Sequence, residues 1–201
     1  MDNITDTALA MFRNDYGDDT ITKDAIFDYV YGVLHSPKYR RVFRNNLNRE
    51  LPRVPFAPDF AAFAQVGAEL AELHLGYETG PEFELEEVVS GPGLASPADY
   101  RLTTKRMRLR DGGTVLRIND RVSLKGIPPE AHEYQVNGRS PLGWFVDRYY
   151  IKRDKRSGIV NDANGWWEDP RDLVTAVRRI VHLSVETVRI VKSLPDPIPE
   201  L

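Results

Sequence analysis

The sequence predicts an α+β fold, and three patterns along the chain indicate it. Apolar residues recur at helical spacing through much of 22–75, apolar and charged residues alternate through 100–136, and a second helical pattern runs from Leu173 to Val191. A period of about 3.6 residues is typical of an amphipathic helix, whereas a period of about two is typical of a strand. We therefore expect an N-terminal helical cluster, a small and mostly antiparallel sheet, and a long C-terminal helix.

The helical part, 22–75, contains two helix-start signals. Thr22 is a preferred N-cap residue, and Ser36-Pro37 combines a cap residue with proline at the first helical position. The helix after Pro37 is expected to bury its apolar side chains and to expose its basic ones. The expected buried set is Tyr39, Val42, Phe43 and Leu47, and the expected exposed set is Lys38, Arg40, Arg41, Arg44 and Arg49.

The sheet part, 77–136, begins with an acidic segment in which we expect a short strand at 83–89. Alternation starts at Arg101, a hairpin turn is indicated at 111–113, and 134–136 is expected to be the last strand. The alternation predicts a core face and a basic face. The core face would hold Met107, Leu109, Val115 and Leu124, and the basic face would hold Arg106, Arg108, Arg110 and Arg117.

The last part, 137–194, opens with a polar turn at Asn137-Gly138 and a short amphipathic helix that begins at Ser140-Pro141. A basic turn at 152–158 follows this helix. We assign Trp144 to the core, because its position on the helix favours packing. The adjacent residues Asp147 and Arg148 are expected to form an ion pair.

The closing helix is predicted to begin at Asp169-Pro170 and to end at Leu194, and the tail from Pro195 is expected to fray. One of Trp166 and Trp167 is expected to pack beneath this helix.

Composition limits the class of protein. The chain has 201 residues, of which 41% are hydrophobic, no cysteine, and a formal net charge of -3. This length and composition predict one folded domain over 1–201, and the lack of cysteine excludes disulfides and thiolate metal sites. The sequence has no apolar run of membrane-span length and no signal-peptide pattern at its start, so we expect a cytoplasmic protein with no membrane partner.

No motif for an enzyme active site is present in the sequence. There is no GxxxxGK[ST] or GxGxxG loop and no Asn/Asp-Pro-Pro-aromatic string, so no cofactor is expected. His132-Glu133 begins like a zinc-protease motif, but position 136 is valine. His35, His74 and His182 are expected to be packing residues. Basic residues instead cluster in three stretches, 38–53, 101–125 and 139–156, which favours a polyanionic partner.

Several long motifs resemble a known family. Residues 29–40 read YVYGVLHSPKYR, 138–149 read GRSPLGWFVDRY and 154–162 read DKRSGIVND. In this order they resemble the C-terminal specificity domain of type ISP restriction–modification enzymes, over roughly 22–194. The resemblance implies a non-catalytic target recognition domain for double-stranded DNA, in a larger polypeptide of bacterial phage defence. Its other implied partners are the methyltransferase and helicase modules of that polypeptide, which would carry out adenine methylation and ATP-dependent cleavage.

The candidate DNA-binding residues fall into two expected roles. Residues on the helix pair and on the basic turn would hold the DNA backbone, whereas residues near the Asn-Gly turn and on the basic sheet face would reach base edges. The full set is Lys38, Arg40, Arg41, Arg44, Arg106, Arg108, Asn137, Arg139, Ser140, Lys152, Arg153, Lys155, Arg156, Ser157 and Asn161.

Other interpretations stay open at this point. The chain would be a protein-interaction module if the acidic stretch 69–87 and the basic helices dock the methyltransferase body with little DNA specificity. It would be a small-ligand or glycan-binding domain if Tyr149, Trp166 and Trp167 border an apolar pocket. The loop 157–162 fits phosphate binding and a structural brace toward the last helix about equally well.

Overall fold

The fold is α+β, as the sequence predicts. The computed structural model describes residues 3–47 and 49–197. Within these residues lie eight α-helices, a four-stranded antiparallel sheet and a separate two-stranded sheet. The chain divides into two compact units, Met1–Gly76 with Arg189–Leu201 and Tyr77–Val188. The assignment of 1–201 to one domain with parts 22–75, 77–136 and 137–194 stays a prediction.

The first unit begins with five helices, two of which start at the capping residues that the sequence predicts. Thr22 accepts a hydrogen bond from the Ala25 amide, and Ser36 accepts one from the Tyr39 amide. The helices are α1, Asp6–Tyr16; α2, Lys23–His35; α3, Pro37–Val42; α4, Arg44–Leu47; and α5, Phe60–Gly76.

The helix predicted after Pro37 is broken at Phe43, which separates α3 from α4. Tyr39 is buried, and Phe43 and Leu47 pack against the core that contains it. Val42 is 52% exposed, so its expected burial was wrong. The six-residue helix α3 turns only one narrow face inward, and Tyr39 and Phe43 fill it.

Tyrosine hydroxyls hold the proline-rich connection before α5 against the helices. Tyr39 donates to the carbonyl of Arg53 at 2.8 Å, and Tyr29 donates to that of Pro55 at 2.6 Å. Tyr29 also accepts from the Ala57 amide, whose carbonyl accepts from Tyr16. An extended segment has few backbone partners of its own, so these side chains satisfy groups that folding would otherwise leave unpaired.

Helices α2 and α5 cross with their backbones in close contact at two glycines. A Cβ atom added to Gly67 would lie 1.7 Å from the carbonyl oxygen of Asp28, and one added to Gly32 would lie 2.4 Å from that of Phe63. Both distances are far below a van der Waals contact, so only glycine fits at this crossing.

The second unit contains the sheet and the predicted recognition segment. The strands are β1, Glu86–Val89; β2, Arg108–Arg110; β3, Val115–Arg117; β4, Val122–Lys125; β5, Ile151–Arg153; and β6, Val160–Asp162. The helices are α6, Glu130–Glu133; α7, Pro141–Arg148; and α8, Asp172–Lys192. Strand order in the four-stranded sheet is β1-β4-β3-β2, with all pairs antiparallel. Helix α8 supplies residues to both units and begins two residues after Pro170.

One face of the sheet packs into the core of the second unit. Leu116 lies opposite Leu124 and Leu109 in the register, and Leu116 and Leu124 are fully buried. Val115 was predicted on this face and lies instead on the exposed face. Side chains two residues apart share a face, so Val115 must lie on the side of Arg117.

Two other predicted strands are absent from the described residues. Segment 134–136 makes only an isolated bridge between Val136 and Arg139. Near Arg101 the chain forms a 3-10 turn, Pro97–Tyr100, and Leu102 then exchanges two backbone hydrogen bonds with the side-chain amide of Asn164. The side-chain amide of Asn164 thus pairs the backbone N–H and C=O of Leu102, as a neighbouring strand would.

Contacts also fix the C-terminal tail of the first unit through residue 197. Asp196 pairs with Lys38, and Pro197 is buried, so the tail is anchored through residue 197. Residues 198–201 of the expected frayed tail lie outside the described part.

Candidate nucleic-acid interface

Strands β5 and β6 form an exposed two-stranded ribbon. Every residue from 152 to 162 is exposed, and cross-strand pairs join Lys152 to Asn161 and Arg153 to Val160. The sequence analysis predicted only a basic turn here, because the two flanking runs are too short to show an alternating pattern. The ribbon shows cations on both of its faces, since neighbouring residues of a strand point to opposite sides.

The tip of this ribbon is organised by Asp154. Its carboxylate accepts from the amides of Arg156 and Ser157 at 3.0 and 2.7 Å and from the Ser157 hydroxyl at 3.0 Å. The Ser157 hydrogen bonds are the main cause that holds the pKa of Asp154 below its usual value. The hydrogen bonds that residues 154–159 make with described residues all lie within this loop. They leave the side chains of Lys155 and Arg156 exposed at the tip.

The Asn-Gly turn places Arg139 against α7. Asn137 and Gly138 have φ of 52° and 77°, the left-handed pair that a two-residue hairpin turn requires. Arg139 forms an ion pair with Asp147, and its guanidinium lies 5.6 Å from the centre of the Trp144 ring. The side chain remains 49% exposed, so some of its donors face solvent.

Two predictions for α7 were wrong. Trp144 is 47% exposed, and its indole N–H donates to the carbonyl of Val136 at 3.1 Å. Leu142 and Phe145 take the buried face of this helix, and Trp144 lies away from it. Asp147 pairs with Arg139 across the turn, whereas the sequence analysis paired it with its neighbour Arg148.

Ser140 is placed as a helix cap. Its hydroxyl accepts from the Gly143 amide at 3.1 Å, and the residue is 8% exposed. The capping hydrogen bond therefore explains why a serine stands at position 140 of the motif. Asn137, by contrast, is exposed on the turn.

A basic cleft of about 540 Å³ opens on the exposed face of the sheet, beside the edge strand β2. Arg108 lies directly opposite Arg117 in the β2–β3 register. The guanidinium of Arg106 stacks 3.8 Å above the ring of Tyr150, the residue before β5. The charged side chains that line the cleft are Lys105, Arg106, Arg108, Arg110, Arg117 and Asp120.

The first unit holds the four helical candidates, and two of them have structural partners. Lys38 pairs with Asp196, and Nε of Arg40 donates to the carbonyl of Leu34 at 2.7 Å. Arg41 and Arg44 are exposed, and their side chains make no hydrogen bond or ion pair with any residue that the structure describes. The other eleven candidates lie in the second unit.

The structure adds no support for a catalytic or small-ligand site at the positions that the sequence suggested. Nε2 of His132 lies 3.1 Å from the carbonyl oxygen of Gly113, and no metal-binding group of three or more His, Cys, Asp or Glu exists among the described residues. Tyr149 stacks on Phe145 at 4.2 Å and contacts both Trp166 and Trp167. These rings therefore pack on one another, and Trp167 joins the core that contains α8 residues, as predicted for one of the pair.

Comparison with known protein families shows which family the chain belongs to. The model of the type ISP C-terminal specificity domain matches residues 1–176. The chain belongs to this family. No curated protein matched the chain in the corresponding search.

Solved structures agree with the assignment of a type ISP specificity domain. One is a nuclease-deletion mutant of the type ISP restriction–modification enzyme LlaGI in complex with a DNA substrate mimic, with 35% identity over 89% of this chain and a TM-score of 0.75. The ATP-dependent type ISP enzyme LlaBIII bound to DNA has 30% identity over 90% of this chain and a TM-score of 0.78. A DrdV–DNA complex has 33% identity over 96% of this chain and a TM-score of 0.79.

This specificity domain spans only a small share of those proteins, 14% of the LlaGI chain, 12% of the LlaBIII chain and 20% of the DrdV chain.

Within the residues that the structure describes, no helix has the length and apolar character to cross a bilayer.

Part of the cleft lies outside the DNA-binding residues that the sequence predicts. Arg110 and Arg117 were predicted on the basic sheet face, whose arginines were expected to reach base edges, but the set of named DNA-binding residues took only Arg106 and Arg108 from that face. Lys105 lies in the predicted basic stretch 101–125 but outside the alternating run, and the contact of Tyr150 with Arg106 had no sequence signal, because only the fold brings the two residues together.

Proposed function

We propose that this chain is a sequence-specific, double-stranded DNA-binding target recognition domain of a larger restriction–modification enzyme. In this proposal it directs adenine methylation and ATP-dependent cleavage by the methyltransferase and helicase modules of the same polypeptide. It needs no cofactor, performs no catalysis itself and works in the cytoplasm.

The observation that carries the proposal is the exposed β5–β6 ribbon. A two-stranded ribbon is one of the two elements that fit the major groove of B-DNA, which is about 12 Å wide. No other stretch of the second unit, all of which the structure describes, is continuously exposed for as long as 152–162. The side chains of Lys152, Arg153, Lys155 and Arg156 make no hydrogen bond or ion pair with another described residue, so binding DNA would break no internal contact.

The arrangement favours a division of labour. Cations on the ribbon, together with Arg41 and Arg44, supply charge without geometric restraint, which suits phosphate contacts. Arg139 is held by Asp147 and Trp144 with part of its guanidinium exposed, and a restrained guanidinium suits bidentate contact with a guanine edge. Asn137 at the adjacent turn and Asn161 on the ribbon offer amide groups of the kind that recognise adenine.

Selection of bound duplexes from a randomised DNA pool tests the proposal. The purified chain is expected to enrich one asymmetric motif at near-physiological salt. Salt-sensitive binding without enrichment would move specificity to a surface shared with the methyltransferase. Lack of binding at any salt would contradict the proposal and favour the protein-interaction module.

A further inference from the structure

The basic cleft beside β2 concentrates like charge in a way that folding alone does not require. Arg108 and Arg117 face each other across the β2–β3 pair, and Arg110 follows Arg108 on the same side. Like charges placed directly opposite on neighbouring strands destabilise a sheet. A concave surface lined by one sign of charge also focuses its potential on whatever enters it. Both facts point to an anionic ligand.

One carboxylate already occupies part of this cleft. Asp120 forms ion pairs with Lys105 and with Arg117. Both pairs are more than half exposed on at least one side, so they contribute little to stability. The side chains of Arg108 and Arg110 make no hydrogen bond or ion pair within the described residues, and they are exposed. Asp120 thus shows where an anion sits, and the two arginines remain available for a second one.

We propose that this cleft is a sequence-independent binding site for a phosphate group of the DNA backbone, distinct from the ribbon and contacted by Arg108 and Arg110. The inference rests on the proposed DNA-binding function. It changes the role of Arg108, which the sequence analysis assigned to base reading, and it adds Arg110 to the site.

The uncommitted arginines of the cleft favour phosphate over a base edge. Among the described residues, Arg108 and Arg110 have no hydrogen bond or ion pair that fixes their guanidinium groups, unlike Arg139, and phosphate oxygens accept hydrogen bonds from arginine without the fixed geometry that a guanine edge requires. Asn119 also lines the cleft, but its amide is fully used by backbone groups: it donates to the carbonyls of Asp99 and Arg101 and accepts from two amides. The amide of Asn119 is therefore not available to distinguish bases, and the exposed hydroxyl of Thr104 is the mixed donor and acceptor that the cleft retains.

Arg106 connects the cleft to the ribbon. Its stacking on Tyr150 places the cleft next to the residue that leads into β5. A duplex that lies along the ribbon would then present a flanking phosphate to the cleft, so the site would fix the position of the DNA rather than its sequence.

The test measures the affinity of a fluorescein-labelled duplex by anisotropy over a salt series, for the intact chain and its variants. Arg108→Gln and Arg110→Gln are each expected to reduce the slope of log affinity against log salt by about one, because each loses one phosphate contact. The loss is expected to be the same for selected and scrambled sequences. Lys125→Gln is the matched control, since Lys125 lies on the same sheet face opposite Val115 but outside the cleft.

The outcomes separate this inference from the function on which it rests. If both cleft variants behave like Lys125→Gln while Lys155→Gln weakens binding, the cleft proposal is wrong and the DNA-binding function stands. A loss confined to the selected sequence would also overturn it, because base reading would then explain the arginines. If the unmodified chain binds no duplex at any salt, both proposals fail together.

Discussion

At the scale of single residues, the partners of each cation determine what it has left to offer DNA. Arg40 and Arg41 are adjacent, yet Nε of Arg40 donates to the end of α2 and Arg41 is exposed without such a contact. Arg121 is similarly occupied, because it pairs with Asp99 and donates to the carbonyls of Ser90 and Pro92. A cluster of basic residues in the sequence therefore overestimates the charge that is available to a ligand.

Arg139 and Lys155 are expected to differ in the effect of substitution. Arg139→Ala should cost about 1–3 kcal/mol of binding free energy on the selected duplex and little on a scrambled one, because it removes a bidentate base contact. Lys155→Ala should weaken binding to both duplexes equally and reduce the salt slope by about one. Equal losses from Arg139→Ala on the two duplexes would refute its role in base reading.

Asp120 is expected to oppose DNA binding. Asp120→Asn removes the anion that now pairs with Lys105 and Arg117, so duplex affinity should rise about fivefold. Glu84→Gln, an exposed acid outside the cleft, is the matched control and should change affinity less. Titration of both variants in the anisotropy assay makes the comparison, and equal affinities would count against the cleft.

His74 is expected to make stability depend on pH. Burial lowers the pKa of His74 from 6.5 to about 4, and the Tyr31 hydroxyl lies 2.7 Å from its Nδ1. Between these two pH values the unfolded chain binds more protons than the folded chain, so stability is complete above pH 6.5 and falls as pH drops toward 4. Thermal unfolding of His74→Gln should show a shallower decline over that window. Parallel curves for the two proteins would contradict this assignment.

At the scale of secondary-structure elements, the crossing of α2 and α5 depends on two glycines. Gly67→Ala would place a methyl group against the carbonyl of Asp28, so the helices would have to separate. We expect a loss of about 2 kcal/mol or more in the free energy of unfolding, measured by urea denaturation. Gly76→Ala, at the end of the same helix with no atom within 4 Å of the added carbon, is the matched control. Equal free energies of unfolding for the Gly67→Ala and Gly76→Ala variants would mean that the two helices can move apart at little cost.

The strands show a different dependence on context. The ribbon β5–β6 has only three residues in each strand, and an isolated hairpin of this kind is marginal in water. Its turn supplies the order instead, through Asp154 and Gly158, which has φ of 73°. The sequence signal for this element is therefore a turn signal, and the strands follow from it.

At the scale of the whole molecule, net charge is a poor guide to the partner. The chain is acidic overall, with a charge of -3, but much of its acid is engaged locally. Glu87 accepts from the Tyr100 hydroxyl and lies beside Arg171 and Arg178. Charge distribution, rather than its sum, determines which surface attracts a polyanion.

Much of this protein was determined by local sequence. Thr22, Ser36 and Ser140 begin their helices as predicted, because a cap is a contact between residues three apart and needs no distant partner. The long closing helix and the α+β class follow from periodicity for the same reason. The motifs around 138–149 and 154–162 indicated the family that the comparison then established.

Only the tertiary structure decided which residues face one another. The fold places Val115 on the exposed face, turns Trp144 outward and pairs Asp147 with Arg139, all against the sequence-based predictions. It also brings Arg106 onto Tyr150, forty-four positions away, to link the cleft to the ribbon. Strand register and side-chain pairing depend on contacts between distant segments, and a one-residue change of phase reverses the face, so local pattern cannot specify them.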